Sequence, residues 1–318
     1  MNKVAAAFVS IGVILVIVGL VIVGIFGSTY NWDDLFNGTR HDLSKANGGT
    51  DLTPDQIDGL LNIDIQTDRY SVYVLPADNE TLSVKYVDPI EEKVTIGVHY
   101  ENGKLTVTET DSIKVSTGLF NKENAVRFIV VYIPQNDLLS NVNVEVKTDV
   151  GVISVKQIKC CNLSATTDTG AVSLSDIEND ILSVKTDTGA VSIKKVNCNN
   201  IGVKAETGAI NVDATTVKDI ADIDVDTGAV HCNITANTLI IDTDTGAINF
   251  NVTANNITLS SDTGAISGKV IGNKADYEIR VTKDVGSSQL KNQHVENATK
   301  FLTVKVDTGS INVKFSNK

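Results

Sequence analysis

The chain has 318 residues but only four prolines (Pro54, Pro76, Pro89, Pro134), and none falls in residues 135–318. Proline removes a ladder donor from a paired strand, so its absence there suits strands bonded on both edges. Aromatic residues make up 5%, with one Trp and one Met. Lys and Arg total 27 against 39 Asp and Glu, a net charge of −12, so the basic footprint of a nucleic-acid binder is missing. The four cysteines (Cys160, Cys161, Cys198, Cys232) form no C-x-x-C, which excludes a disulfide scaffold and gives no zinc or redox signature. The four histidines (His41, His99, His231, His294) show no metal-pair spacing. No G-x-S-x-G and no phosphate-loop pattern occurs. No cofactor is expected. A hydrophobic content of 42% argues against disorder, and the length allows a substantial core.

One long apolar run is present. Residues 4–26 carry no charge and only Ser10 as a polar side chain. As a helix rising about 1.5 Å per residue, that run spans a hydrocarbon core of ~30 Å. A signal peptide would have a shorter apolar region and a small-x-small cleavage site. Residues 1–27 are therefore expected to be an uncleaved membrane anchor. Lys3 lies on one side of it and Asp33 and Asp34 on the other, which puts the N-terminus in the cytoplasm and the remainder outside. Tyr30 and Trp32 suit an interfacial position. Residues 28–60 read as a tether, with turn signals at Asn37-Gly38, Asn47-Gly48-Gly49 and Thr53-Pro54-Asp55.

Self-similarity organises the rest of the chain. An Asp/Glu-Thr/Val-Gly motif recurs nine times, with glycines at Gly151, Gly170, Gly189, Gly208, Gly228, Gly246, Gly264, Gly286 and Gly309. The spacings are 19, 19, 19, 20, 18, 18, 22 and 23. Aligned on the glycine, apolar residues recur seven and five positions before it (Val144 and Val146, Leu163 and Ala165, Leu182 and Val184). They recur again two and four positions after it (Ile153 and Val155, Val172 and Leu174, Val191 and Ile193). That is strand alternation on both sides of a corner. Such a unit cannot bury its apolar face alone, whereas stacked units can. The expected fold is all-β: a β-solenoid of ~19-residue coils, with regular repeats over residues 141–318. Nine coils at about 4.8 Å make a rod of roughly 40 Å. Residues 61–140 are expected to be the irregular opening coils and to cap one end. The longer last two spacings, and Ser288 in an apolar column, mark less regular C-terminal coils.

The elements Tyr132-Ile133-Pro134, Leu138-Leu139-Ser140-Asn141-Val142-Asn143-Val144 and Thr148-Asp149-Val150-Gly151-Val152-Ile153-Ser154-Val155 resemble the "putative adhesin" domain, a prokaryotic family of unknown function. The resemblance covers about residues 60–318. It implies a β-solenoid, a cell-envelope setting and no transferable catalytic residues.

Asp-Thr-Gly is also the aspartic-protease signature, but that chemistry needs two carboxylates sharing one proton. Here it recurs at coil period (Asp168, Asp187, Asp226, Asp244, Asp262, Asp307, with Glu206 as a variant), which fits a structural turn. The glycine would supply a positive φ, and the acid would bond turn N–H groups. In register, Asp168, Asp187, Glu206, Asp226, Asp244 and Asp262 form an acidic ladder, a weak candidate for cations. Lys147, Lys185, Lys204 and Lys305, two residues before the acid, would offset its charge. Cys232 falls in an apolar column. Cys160 and Cys198 share a phase two coils apart, about 9–10 Å, beyond the ~7 Å Cα reach of a disulfide.

The expectation is a non-enzymatic, single-pass surface protein whose partner is a cell-wall, glycan or protein surface. The rivals are a polymerising, bactofilin-like scaffold, an envelope-stress accessory protein and, last, a polysaccharide-acting β-helix enzyme. The four arginines are too scattered to form a catalytic groove of the last kind. Seven Asn-x-Ser/Thr sequons occur, at Asn37, Asn79, Asn162, Asn233, Asn251, Asn256 and Asn297.

Overall fold

A computed structural model describes residues 43–87, 94–111, 127–135 and 140–316. The expected anchor and the first part of the tether lie outside the described residues. Among the described residues there is no α-helix, and no helix long and apolar enough to cross a membrane.

The opening strands are β1 (Gly48–Leu52), β2 (Asn62–Thr67), β3 (Ser71–Pro76), β4 (Leu82–Tyr86), β5 (Val94–Glu101), β6 (Lys104–Asp111) and β7 (Phe128–Ile133). The repeats supply β8 (Asn143–Val150), β9 (Ile153–Lys156), β10 (Asn162–Thr169), β11 (Val172–Glu178), β12 (Ile181–Thr188), β13 (Val191–Thr207) and β14 (Ile210–Thr227). They continue as β15 (Val230–Thr235), β16 (Thr238–Thr245), β17 (Ile248–Thr253), β18 (Asn256–Thr263) and β19 (Ile266–Ile271). The last two strands are β20 (Tyr277–Ser288) and β21 (Lys300–Ser316).

Each repeat is one turn of a β-solenoid. Its first strand pairs in parallel with the first strand of the next coil, and its second with the second. Leu163 thus stands against Val144 on one side and Leu182 on the other, and Val172 stands between Ile153 and Val191. The apolar columns all point inward. Val146, Ala165, Val203, Ile223, Ile241 and Leu259 are buried, as are Ile153, Val172, Val191, Ile210, Val230 and Ile248. The alternation in the sequence thus becomes continuous stacks of like side chains inside a tube.

Coil length has a local cause. The coils of 19 and 20 residues carry one residue with left-handed φ six positions after the glycine: Gln157 (φ 53), Asp176 (φ 56), Lys195 (φ 52) and Ala214 (φ 49). The two 18-residue coils omit it. The register shift between Val212 and Thr215, where β14 meets β15, is that one-residue difference.

Both ends close by insertion. At the C-terminal end β21 pairs with β18 and β19 on one side and β20 on the other. The coil of Gly286 is therefore outermost, and the later coil of Gly309 lies one layer in. The spacings of 22 and 23 record this exchange of order rather than a loss of regularity. The other end mirrors it: β2 and β3 lie between β8/β9 and β6/β7. Beyond them β5, β4 and β1 turn antiparallel and cap the tube. Part of the expected tether is thus built into the cap. β1 pairs with β4, and Ile57 and Leu60 are buried in the core. The glycines of Gly48-Gly49-Thr50-Asp51-Leu52 made this strand read as a turn. At the far end Tyr277 is buried, donates its hydroxyl to the Ala254 carbonyl at 2.7 Å and packs on Phe315.

Candidate functional site

Among the described residues the corner repeats from coil to coil and carries polar side chains to the surface, so the candidate site is built there. At each corner the backbones of successive coils come into close contact. A Cβ added to Gly170, Gly189, Gly208, Gly228, Gly246 or Gly264 would lie 1.8 Å from the carbonyl oxygen of the previous corner glycine. The φ values at Gly170, Gly208, Gly228 and Gly309 are 154–159°, at the border of extended backbone. Close stacking therefore demands glycine more than the torsion does, which revises the expected reason. From Gly151 to Gly264 each corner glycine N–H bonds the next coil's threonine carbonyl, as in Gly189 to Thr207 and Gly208 to Thr227.

The acidic residue does not tie the turn. A residue three positions before the glycine points inward, so the acid one position later points out. At the Gly170, Gly189 and Gly264 corners the turn is held instead by an inward hydroxyl, a group the Ala205 and Val225 corners lack. Thr167 Oγ1 donates to the Gly151 carbonyl at 3.3 Å, Thr186 Oγ1 to Gly170 at 3.3 Å and Ser261 Oγ to Gly246 at 3.2 Å. Sequence reasoning missed these hydroxyls. The signal was a column alternating Thr and Ser with Ala and Val (Thr186, Ala205, Val225, Thr243, Ser261).

Outside, Asp168, Asp187, Glu206, Asp226, Asp244 and Asp262 stand in single file, exposed or half-exposed. The offsetting lysines act unevenly. Lys185 reaches its own Asp187 at 3.2 Å, Lys204 reaches Asp224 of the next coil at 2.7 Å, and Lys305 meets Asp307 at 3.2 Å and Asp262 at 3.9 Å. Among the described residues no ion pair reaches Asp226, Asp242 or Asp244. Desolvation, then Asp226, Asp262, Asp242 and Asp224, push the Asp244 carboxyl above its ordinary range. A column of single carboxylates does not converge on a point, and no group of three or more His, Cys, Asp or Glu among the described residues is arranged to hold a metal ion. Nor does it form the buried proton-sharing pair that acid protease chemistry requires.

Beside the acids runs a uniform stripe. Thr169, Thr188, Thr207, Thr227, Thr245, Thr263 and Thr308 pair in unbroken register, bounded by Val150 at one end and Val285 at the other. Ala171, Ala190, Ala209, Ala229, Ala247 and Ala265 follow the glycines on the second side. The corner thus presents acid, Thr and Gly columns side by side over seven coils, with Ala beside them over six.

The cysteines are free, and Cys160, Cys198 and Cys232 are buried. Burial pushes each of these three thiols up to about 12, which leaves them un-ionised and unreactive. His99, His231 and His294 are exposed, with His294 beside Glu278 at 3.1 Å.

A family model described as Toastrack DUF4097 matches residues 61–314. The chain belongs to the Toastrack DUF4097 family. Three solved structures are similar to this Toastrack chain. A "putative adhesin" from Bacteroides fragilis is 15% identical, covering 86% of this chain and 99% of its own, with a TM-score of 0.38. A "putative lipid binding protein" from Parabacteroides distasonis is 14% identical over 85% and 98%, with a TM-score of 0.35. A "putative cell adhesion protein" from Clostridium sporogenes is 11% identical over 85% and 98%, with a TM-score of 0.24. Among curated proteins none matches this Toastrack chain.

Proposed function

We propose that the protein is a non-enzymatic element of the cell envelope, anchored through residues 4–26 with its solenoid outside, and that it adheres by many weak contacts along one face. The observation that carries this reading is the in-register threonine column, seven like side chains one coil apart. Repeated groups on a rigid rod raise effective concentration without any strong single site. The partner is then itself repetitive: a cell-wall polymer, a glycan or a protein array. The test is capture of cell-wall fractions by the full chain in lipid nanodiscs. A variant carrying Thr207→Lys and Thr245→Lys, which interrupts the column twice, should lose most of the captured material. Equal capture by both would defeat the reading.

A second reading, the polymerising scaffold, has its own observation. In chain order β21 is the last described strand. In space the outermost strand is β20. Residues 289–293 cover its first part, through the Ile279–Gln293 bridge and the Asn292 Oδ1 bond to the Val281 N–H. From Thr282 to Ser287 the strand is exposed, with Val285 63% accessible. An exposed edge is a template for another chain. Filaments under electron microscopy would favour this reading over adhesion by the face, and a monodisperse monomer would remove it.

A further inference from the structure

The sequons divide into two groups by what their amide nitrogens do. Asn37 lies outside the described residues. Four others are rungs between coils. Asn162 Nδ2 donates to Asn143 Oδ1 at 2.7 Å, Asn233 Nδ2 to Asp213 Oδ1 at 2.8 Å, Asn251 Nδ2 to Asn233 Oδ1 at 3.3 Å and Asn256 Nδ2 to Thr238 Oγ1 at 3.4 Å. Their tripeptides lie within β10, β15, β17 and β18, strands bonded on both sides. An amide nitrogen already donating inside a ladder, on backbone that cannot bend outward, is closed to an enzyme that must attack it.

Asn79 and Asn297 differ in every respect. Asn79 is exposed between β3 and β4, and its Oδ1 accepts the Thr81 N–H at 2.9 Å. That bond folds Asn79-Glu80-Thr81 into an Asx-turn, which engages the amide oxygen and leaves Nδ2 facing out. Asn297 is exposed in the turn of residues 295–298, with φ of 56°. Neither Nδ2 makes a hydrogen bond among the described residues.

We propose that Asn79 and Asn297 are acceptor sites for N-linked glycans, and that Asn162, Asn233, Asn251 and Asn256 are structural rungs that stay unmodified. The ligand class is an oligosaccharide activated as a lipid-linked diphosphate, delivered by a transferase. The Nδ2–C1 bond forms, and the sugar's C1–O bond to phosphate breaks with its electron pair leaving on the lipid diphosphate. One amide proton passes to a base of the transferase. Asn79 belongs to the cap at one end of the rod, and Asn297 to the segment that crosses the outermost coil at the other. Glycans there would leave the long faces bare while crowding the ends, where the unpaired edge lies. In the cell the inference rests on the outward placement proposed above.

The experiment offers the purified, folded full chain in nanodiscs to an oligosaccharyltransferase and a lipid-linked oligosaccharide. A short acceptor peptide shows the enzyme to be active, and peptide mapping by mass spectrometry reads the sites. Sugar is expected on Asn79 and Asn297, with none at the four rungs, and the N79Q/N297Q double variant should lose both. Sugar at any of the four rungs of the folded chain overturns the inference, as does a bare Asn79 and Asn297 beside a modified acceptor peptide. A second arm expresses the full chain in a host with N-glycosylation. Sites modified in vitro but bare in that host would refute the outward placement and leave the acceptor geometry standing.

Discussion

Substitution of one corner glycine should damage the rod more than most core truncations. In Gly208→Ala the new Cβ would meet the Gly189 carbonyl oxygen at 1.8 Å, whereas real Cβ contacts essentially never fall below 3.0 Å. The coils must therefore part by at least 3.0 − 1.8 = 1.2 Å at that corner. A gap of that size exceeds hydrogen-bond tolerance and breaks the bonds on either side of it, among them Gly189 to Thr207 and Val191 to Ala209, each 2.9 Å. Two to four bonds at about 1 kcal/mol each, plus the packing lost beneath them, give about 3–5 kcal/mol. Gly202 is the control. It lies in β13, six residues upstream, and a Cβ there meets nothing within 4 Å. Gly202→Ala should be neutral or stabilising by up to about 1 kcal/mol. Urea denaturation followed by circular dichroism compares the two. In a nearest-neighbour array the G208A transition should also broaden or split, because the weakened interface separates two blocks of coils. A G208A variant within about 0.5 kcal/mol of wild type would refute the argument that stacking demands these glycines.

Other consequences are open to measurement. The Asp244 carboxyl is held above its ordinary range, so the native state binds more protons than the unfolded chain, and its ionisation opposes folding at neutral pH. Asp244→Asn should raise Tm at pH 7 and make no difference below the unfolded carboxylate range, and added salt should shrink the gain. Glu278 has the opposite sign. The Val295 N–H first, and His294 also, hold its carboxyl below the ordinary range, against some desolvation. Its contribution is therefore full above the unfolded pKa and lost as pH falls through the folded one; Glu278→Gln should speed hydrogen exchange in residues 289–299 at pH 7, and the difference should shrink and vanish as pH falls through the folded pKa. Ellman's reagent should modify at most Cys161 in the folded chain, and all four thiols in urea. A chain ending at residue 299 would strip β18 and β19 of their partner and leave β20 undocked, so it should aggregate or lose β20 to limited proteolysis.

The repeat made the solenoid legible because a parallel in-register stack forces equivalent residues to meet. Leu163, Leu182 and Ile201 share a column in the sequence because they share one in space. Residues whose roles depend on neighbouring coils were harder to read. Nothing in the order of Gly286 and Gly309 announces that the later coil lies inside the earlier one. The glycines were assigned to torsion because φ is a local property, whereas the oxygen they avoid belongs to a residue some 19 positions away. The acid was assigned to the turn, and the inward hydroxyl of Thr167 and Thr186 was overlooked, because a buried threonine in a strand resembles any β-branched residue. The thiols of Cys160 and Cys198 were placed correctly as free, since coil spacing alone sets their separation.

The claim on which all else depends is that coils stack in register, with the final coil inserted beneath its predecessor. Paired spin labels and pulsed dipolar spectroscopy test it directly, with Thr169 as the common site. Steps of about 4.8 Å predict ~24 Å to Thr263, ~29 Å to Thr308 and ~34 Å to Val285. Position 308 should therefore be nearer than position 285, although it comes later in the chain. Distances that follow chain order, or that fail to rise in equal steps, would contradict the account.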